Sequence, residues 1–213
     1  MITAVIFDLD GLLSDTEKLH RRAYREVLWE IGAELSDETY AEHWIRLGKG
    51  IGDFIAERKL AVSPDLIRAR KSEKYNELVA KYAEPMPGAV ELLKLLHGRK
   101  TIALASSSYR DSVEAVLGAL GIAHFFQATV SGSEVELKKP HPDIFLLAAR
   151  MINTSPANCV VLEDAEKGVI AAVAAGMKCI AVPNEHTRPH DFSKATRVAG
   201  SLREVSLEMI DSL

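Results

Sequence analysis

The second half of the chain alternates short β-branched runs with longer stretches whose apolar residues recur every three or four positions, and few folds accommodate that alternation. Strands interleaved with helices dictate a largely parallel sheet flanked by helices. The candidate strands are Ala4–Phe7, Thr101–Ala105, Ala128–Ser131, Cys159–Leu162 and Cys179–Val182. Between them, Ala89, Leu92, Leu93 and Leu96 form one helical stripe that stops at Gly98, and Val113, Val116, Leu117 and Leu120 form another that stops at Gly121. Phe145, Ala148, Ala149 and Ile152 make a third stripe. A fourth helix runs from Glu166 to about Ala175 and ends at Gly176, a residue that takes the left-handed turn readily.

The stretch between the first two strands follows a different rule. Leu19, Ala23, Val27 and Ile31 share one helical face, further helical patterns follow, and no convincing strand is visible. The chain therefore divides into an α/β core of residues 1–13 and 86–213 with a Rossmann-like parallel sheet, and an inserted α-helical domain of residues 14–85. Pro85-Met86-Pro87-Gly88 reads as the return hinge, since two prolines and a glycine punctuate any helix. At 213 residues, one core domain with an insertion buries a sizeable interior.

Charge and hydropathy narrow the partners. A net charge of −4 with scattered Lys and Arg argues against nucleic acid, which calls for a basic face. The longest apolar runs, such as Val169 to Met177, are too short to span a bilayer, so no membrane association is expected. Met1 to Phe7 shows no basic flank and no cleavage-type site. Cys159 and Cys179 each open an apolar run and read as buried strand residues. A cytoplasmic protein, monomeric or weakly dimeric, is the expectation.

Phe7-Asp8-Leu9-Asp10-Gly11 is the first segment that carries chemistry. Side chains alternate along a strand, so Asp8 and Asp10 start on the same side, roughly 6–7 Å apart. They sit where the first strand ends, and in open parallel sheets ligands collect beyond the carboxyl ends of the strands. Two carboxylates in one site push their pKa values apart, leaving one as nucleophile and the other as proton donor. Ser106 follows the second strand, Lys139 stands in Lys138-Lys139-Pro140-His141-Pro142 ahead of a helix, and Glu163-Asp164 follows the strand Cys159–Leu162. Singly, each has a plain reading: a helix cap for Ser106, a solvated lysine for Lys139, a dipole partner for Glu163-Asp164. Asp8, Ser106 and Asp164 at three strand ends would converge if those strands are neighbours.

Together these segments resemble the haloacid-dehalogenase-like superfamily, in the branch of beta-phosphoglucomutase and the sugar-phosphate phosphatases. The resemblance rests on Asp8-Leu9-Asp10-Gly11 with Ser14-Asp15-Thr16-Glu17, Ala105-Ser106-Ser107, Lys139-Pro140-His141-Pro142-Asp143-Ile144-Phe145, and Leu162-Glu163-Asp164-Ala165 with Gly168 and Ala175-Gly176. It implies that Asp8 attacks phosphorus to form an aspartyl-phosphate and that Asp10 serves as general acid and base. It also implies Mg²⁺ held by Asp8, Asp164 and the backbone carbonyl of Asp10, with Glu163 direct or through water, an all-oxygen set suited to a hard cation. Lys139 would neutralise the transferring oxygens, and Ser106 would bind the same phosphoryl group. The inserted helices correspond to the family's cap, where Thr16, His20, Trp44, Lys49 and Lys71, with Ser107 of the core loop, are the expected contacts to a small phosphorylated metabolite.

Within that resemblance Asp10 separates reaction types, because dehalogenases lack a proton donor at this place. Related enzymes that hydrolyse phosphonates use a cap lysine as a Schiff base, which Lys49 or Lys71 would supply. The mutases are expected to carry an arginine a few residues past the glycine of the first cap loop, and Gly48-Lys49-Gly50-Ile51-Gly52-Asp53 has none. Val182-Pro183-Asn184-Glu185 and Asp191-Phe192-Ser193 look more like the phosphatase branch. A phosphatase is therefore the expectation, with a beta-phosphoglucomutase-like mutase as the alternative.

Overall fold

The computed structural model describes every residue from Met1 to Leu213. Strand β1 (Ala4–Phe7) comes first and is followed by α1 (Glu17–Trp29), α2 (Asp37–Tyr40), a π-helical segment over Ala41–Arg46, α3 (Ile51–Arg58) and α4 (Pro64–Tyr82). Helices and strands then alternate: α5 (Ala89–Leu96), β2 (Thr101–Ser106), α6 (Arg110–Leu120), β3 (Ala128–Ser131), α7 (Asp143–Met151) and β4 (Cys159–Glu163). The chain closes with α8 (Glu166–Ala174), β5 (Lys178–Ala181), β6 (Arg197–Val198) and α9 (Leu207–Asp211).

The six strands form one sheet in the order β3-β2-β1-β4-β5-β6, and every neighbouring pair is parallel. β1 reads Ala-Val-Ile-Phe and is buried throughout, as a strand covered by helices on both faces must be. Ala4 and Ile6 join Ala103 and Ala105 of β2 in one apolar layer with Ile144, Phe145 and Ala148 of α7 and Val169, Ala171 and Ala172 of α8. The ladder sets Phe7 opposite both Leu104 and Leu162. In consequence, the segments after β1, β2 and β4 emerge side by side at one edge of the sheet. The strand order reverses around β1, and such a switch point is where open α/β sheets form a ligand crevice.

The chain separates into two compact units, Met1–Asp15 with Glu84–Leu213, and Thr16–Ala83. The second is all helical, with α1 packed on α4. Its interior gathers Val27, Leu28, Leu35, Tyr40, Ile51, Phe54, Ile55 and Ile67.

Two elements depart from the sequence reading. Ile31 does not extend the α1 face, because the helix stops at Trp29. Gly32 takes a φ of +74°, and Ala33 N–H reaches back to the Leu28 carbonyl, a glycine-dependent stop that leaves Ile31 in the turn, still packed on the helical core. The sixth strand was not anticipated: Arg197–Val198 is two residues long and exposed, and owes its existence to the ladder that Ile180 and Ala181 offer. No helix is long and apolar enough to cross a membrane.

Candidate active site

Asp8 is the first residue beyond β1, and its amide continues the ladder to the Leu162 carbonyl at 3.0 Å. Its carboxylate Oδ1 accepts from Lys139 Nζ at 2.5 Å. The same ammonium donates to Glu163 Oε1 at 2.7 Å and to the Ala105 carbonyl at 2.9 Å, which accounts for all three of its protons. With the Lys139 side chain only 1% exposed, these bonds are what make its charge tolerable there, since an unpaired buried ammonium is prohibitively costly. The face of Phe145 adds a cation–π contact at 4.7 Å.

Negative charge outnumbers positive around this lysine. Burial pushes the Asp8 carboxyl up to about 7; Lys139 opposes the rise, while Glu163 and Asp10 add to it. Burial also raises Asp164 well above the usual carboxylate range, helped by Glu163 and Asp8. Burial works to lower the Lys139 pKa, yet the carboxylates of Asp8 and Glu163 prevail and hold it above the ordinary lysine value. The cluster as a whole is short of cationic charge.

Asp10 reaches the loop after β2. Its Oδ2 accepts from Ser108 Oγ at 2.7 Å and from Ser106 Oγ at 3.3 Å. Ser106 does not cap α6, whose N-cap is Tyr109; its hydroxyl instead accepts from the Ser108 amide at 3.0 Å. Ser107 Oγ is buried with no hydrogen-bond partner. Gly11 is required by geometry: at φ +82° a Cβ there would lie 2.6 Å from Asp164 Oδ2 and 2.7 Å from Asn184 Nδ2.

Both oxygens of Glu163 are engaged, Oε1 by Lys139 and Oε2 by the Ala165 amide at 2.9 Å. Gly168 opens the space for this carboxylate, since a Cβ on it would fall 1.8 Å from Oε1. Asp164 Oδ2 accepts from Asn184 Nδ2 at 2.8 Å. No three His, Cys, Asp or Glu side chains form a ready metal cage. The donors that do converge, the carboxylates of Asp8 and Asp164 beside the backbone of the Asp10–Gly11 turn, are all oxygens and carry surplus negative charge. That set fits Mg²⁺, which retains several waters and needs few protein ligands.

Of the remaining sequence candidates, Thr16, His20, Trp44, Lys49 and Lys71 all lie in the helical unit. His20 stacks on Tyr75 with ring centroids 4.0 Å apart, and its Nδ1 lies 2.6 Å from Lys71 Nζ. Lys71 stands over the rings of Tyr75 and Tyr24. Trp44 packs among Tyr24, Tyr40, His43 and Phe54, with its buried Nε1 lacking a partner. Lys49 is paired with Glu57 at 2.6 Å on the surface. Thr16 is buried and takes the N-cap position of α1.

Ser108 and Asn184 were missed by the sequence reading. Ser108 stood in plain view in Ser106-Ser107-Ser108, and Asn184 follows β5, so the same strand-end rule that found Asp8 and Asp164 would have found it.

A parallel six-stranded sheet with an acidic, lysine-bridged cluster at its switch point defines a Rossmann-like α/β protein with its candidate site beyond the carboxyl ends of the strands. The sequence matches the profile of the hydrolase family "haloacid dehalogenase-like hydrolase" over residues 2–176, and the chain belongs to that family. It is 36% identical over 183 residues to fructose-1-phosphate phosphatase YqaB of Escherichia coli (strain K12), spanning 84% of this chain and 95% of that protein. The crystal structure of CbbY from Rhodobacter sphaeroides in complex with phosphate superposes with a TM-score of 0.89 at 32% identity, covering 99% of this chain and 100% of the other. Beta-phosphoglucomutase from Clostridium difficile gives a TM-score of 0.81 at 27% identity over 100% of this chain and 96% of the other.

Proposed function

We propose that the protein is a Mg²⁺-dependent phosphatase of small phosphorylated sugars that works through an aspartyl-phosphate on Asp8. The single observation that carries this reading is the buried Lys139 ammonium shared by Asp8 and Glu163 beside Asp164, at the ends of adjacent strands. A nucleophilic carboxylate must approach a phosphate dianion, so it needs cationic neighbours that do not move.

The ionised Asp8 oxygen attacks phosphorus and the bond from phosphorus to the sugar oxygen breaks. Asp10 delivers a proton to that leaving oxygen, then removes one from the water that attacks the phosphoaspartate, releasing inorganic phosphate and restoring Asp8. Ser106, Ser107 and nearby backbone amides bind the transferring oxygens. Glu163 is assigned to holding Lys139, because both its oxygens are engaged. The carboxylates of Asp8 and Asp164 with the Asp10 carbonyl would hold Mg²⁺, which when bound neutralises phosphoryl charge. We assign substrate choice to Thr16, His20, Trp44, Lys49 and Lys71 of the helical unit. The name of the Escherichia coli relative supports sugar phosphates as the substrate class. Two buried free cysteines suit a reducing cytoplasm.

A phosphomutase reading rests on the likeness to beta-phosphoglucomutase. The Gly48–Asp53 loop carries no arginine to hold a second phosphate, which supports hydrolysis. Assays against a panel of sugar phosphates with and without Mg²⁺ test the proposal. Release of inorganic phosphate only with Mg²⁺ is expected; conversion of β-glucose 1-phosphate to glucose 6-phosphate in its place would establish the mutase.

A further inference from the structure

Beyond the acids and the lysine, one neutral side chain ties three strand-end loops together. Asn184 follows β5 and donates from Nδ2 both to the Gly11 carbonyl at 3.0 Å and to Asp164 Oδ2 at 2.8 Å. Its Oδ1 accepts from the amides of His186 at 2.8 Å and Thr187 at 3.2 Å, an Asx-type turn. Its own amide donates to Thr187 Oγ1 at 3.0 Å.

These contacts fix which end of the amide points where. Reversed, the carbonyl oxygen would face another carbonyl and a carboxylate, while the NH₂ group would face two N–H donors. An aspartate here would set oxygen against oxygen, and a serine would be too short to span the distance. The close packing of the three groups has separate support, since a single methyl group on Gly11 would collide with both Asp164 and Asn184.

We infer that Asn184 is a positioning residue for the cation site, holding the Asp164 carboxylate and the Asp10–Gly11 turn at a fixed separation. The assignment rests on the Mg²⁺-dependent reading given above. Groups that orient metal ligands typically contribute ten- to a hundredfold in metal affinity, and Asn184 orients donors that come from two different loops.

The test is Mg²⁺ binding to the metal-free protein by titration calorimetry, comparing wild type with Asn184→Ala and Asn184→Ser. Serine keeps an acceptor for the 184–187 turn but cannot reach Asp164, so it separates loop integrity from the bridge and carries the test if the alanine variant fails to fold. Both variants are expected to bind Mg²⁺ about ten- to a hundredfold more weakly, with the sugar-phosphate KM at saturating Mg²⁺ little changed. An Asn184→Ser protein whose Mg²⁺ affinity stays within threefold of wild type overturns the assignment and leaves the phosphatase reading standing. A wild type that binds no Mg²⁺ removes both.

Discussion

The strand-end cluster and the polar cluster of the helical unit gather charge by different means. Around Lys139, partners come from β1, β2 and β4, and the backbone ladder fixes where each begins. Around Lys71, His20 of α1 and Tyr75 of α4 meet only through side chains stacked between packed helices. Chemistry that fails when an atom is misplaced by an ångström belongs on the first kind of support. Recognition, which tolerates side-chain adjustment, suits the second.

The largest expected effects fall on the strand-end side. Asp8→Asn should leave the circular dichroism spectrum unchanged and abolish turnover, and a variant retaining more than a tenth of the wild-type rate would strip Asp8 of the nucleophile role. Asp10→Ala should lose roughly 10²–10⁴-fold in kcat. An undiminished rate would leave its bonds to Ser106 and Ser108 purely structural.

Gly168→Ala probes the same side without touching an acid. The new methyl group would sit where Glu163 Oε1 now lies, so Lys139 should shift with its partner. We expect a loss of about a hundredfold in kcat, in line with an ångström-scale displacement, and about 1–3 kcal/mol in stability by urea titration. Wild-type kinetics here would mean that Glu163 does not place the lysine.

A smaller effect should appear in stability against pH. Burial raises Asp8 from 3.8 to about 7, so the folded state binds this proton more tightly than the unfolded chain. Its stabilising contribution is full below about pH 4 and disappears as pH climbs through 7. In chelator, wild type should therefore lose stability relative to Asp8→Asn across that window, and Mg²⁺ should restore it at pH 8. A difference that stays flat with pH would contradict the charge surplus at the site.

The smallest change is expected from Lys49→Ala in the helical unit. Its partner Glu57 is solvent-exposed, so the melting temperature should not move, while KM for a sugar phosphate should rise. An unaltered KM across a substrate panel would take Lys49 out of recognition.

What the sequence disclosed follows the same division. Asp8, Ser106 and Asp164 were legible because strand ends are set by short apolar runs and β1 lies between β2 and β4. Glu163 was placed correctly at a strand end, but its attachment to Lys139 and the Ala165 amide depends on the space left at Gly168, which no spacing rule reports. The end of α1 was misread because periodicity continued through Ile31 while Gly32 turned the chain away. Ser108 and Asn184 stand at strand ends that the same rule marks, but their hydrogen-bond partners lie 98 and 173 residues away, and a strand-end position does not say which partner a side chain will meet.

The three bonds of Lys139 also bear on how the molecule matures. Its ammonium is satisfied only when the carbonyl of Ala105, the carboxylate of Asp8 and that of Glu163 stand together. A nascent chain whose β2 or β4 has slipped by one residue offers this charge no dry resting place and is penalised for it. The lysine thus penalises misaligned strands, because the alignment that satisfies its charge is the one that brings Asp8, Ala105 and Glu163 together.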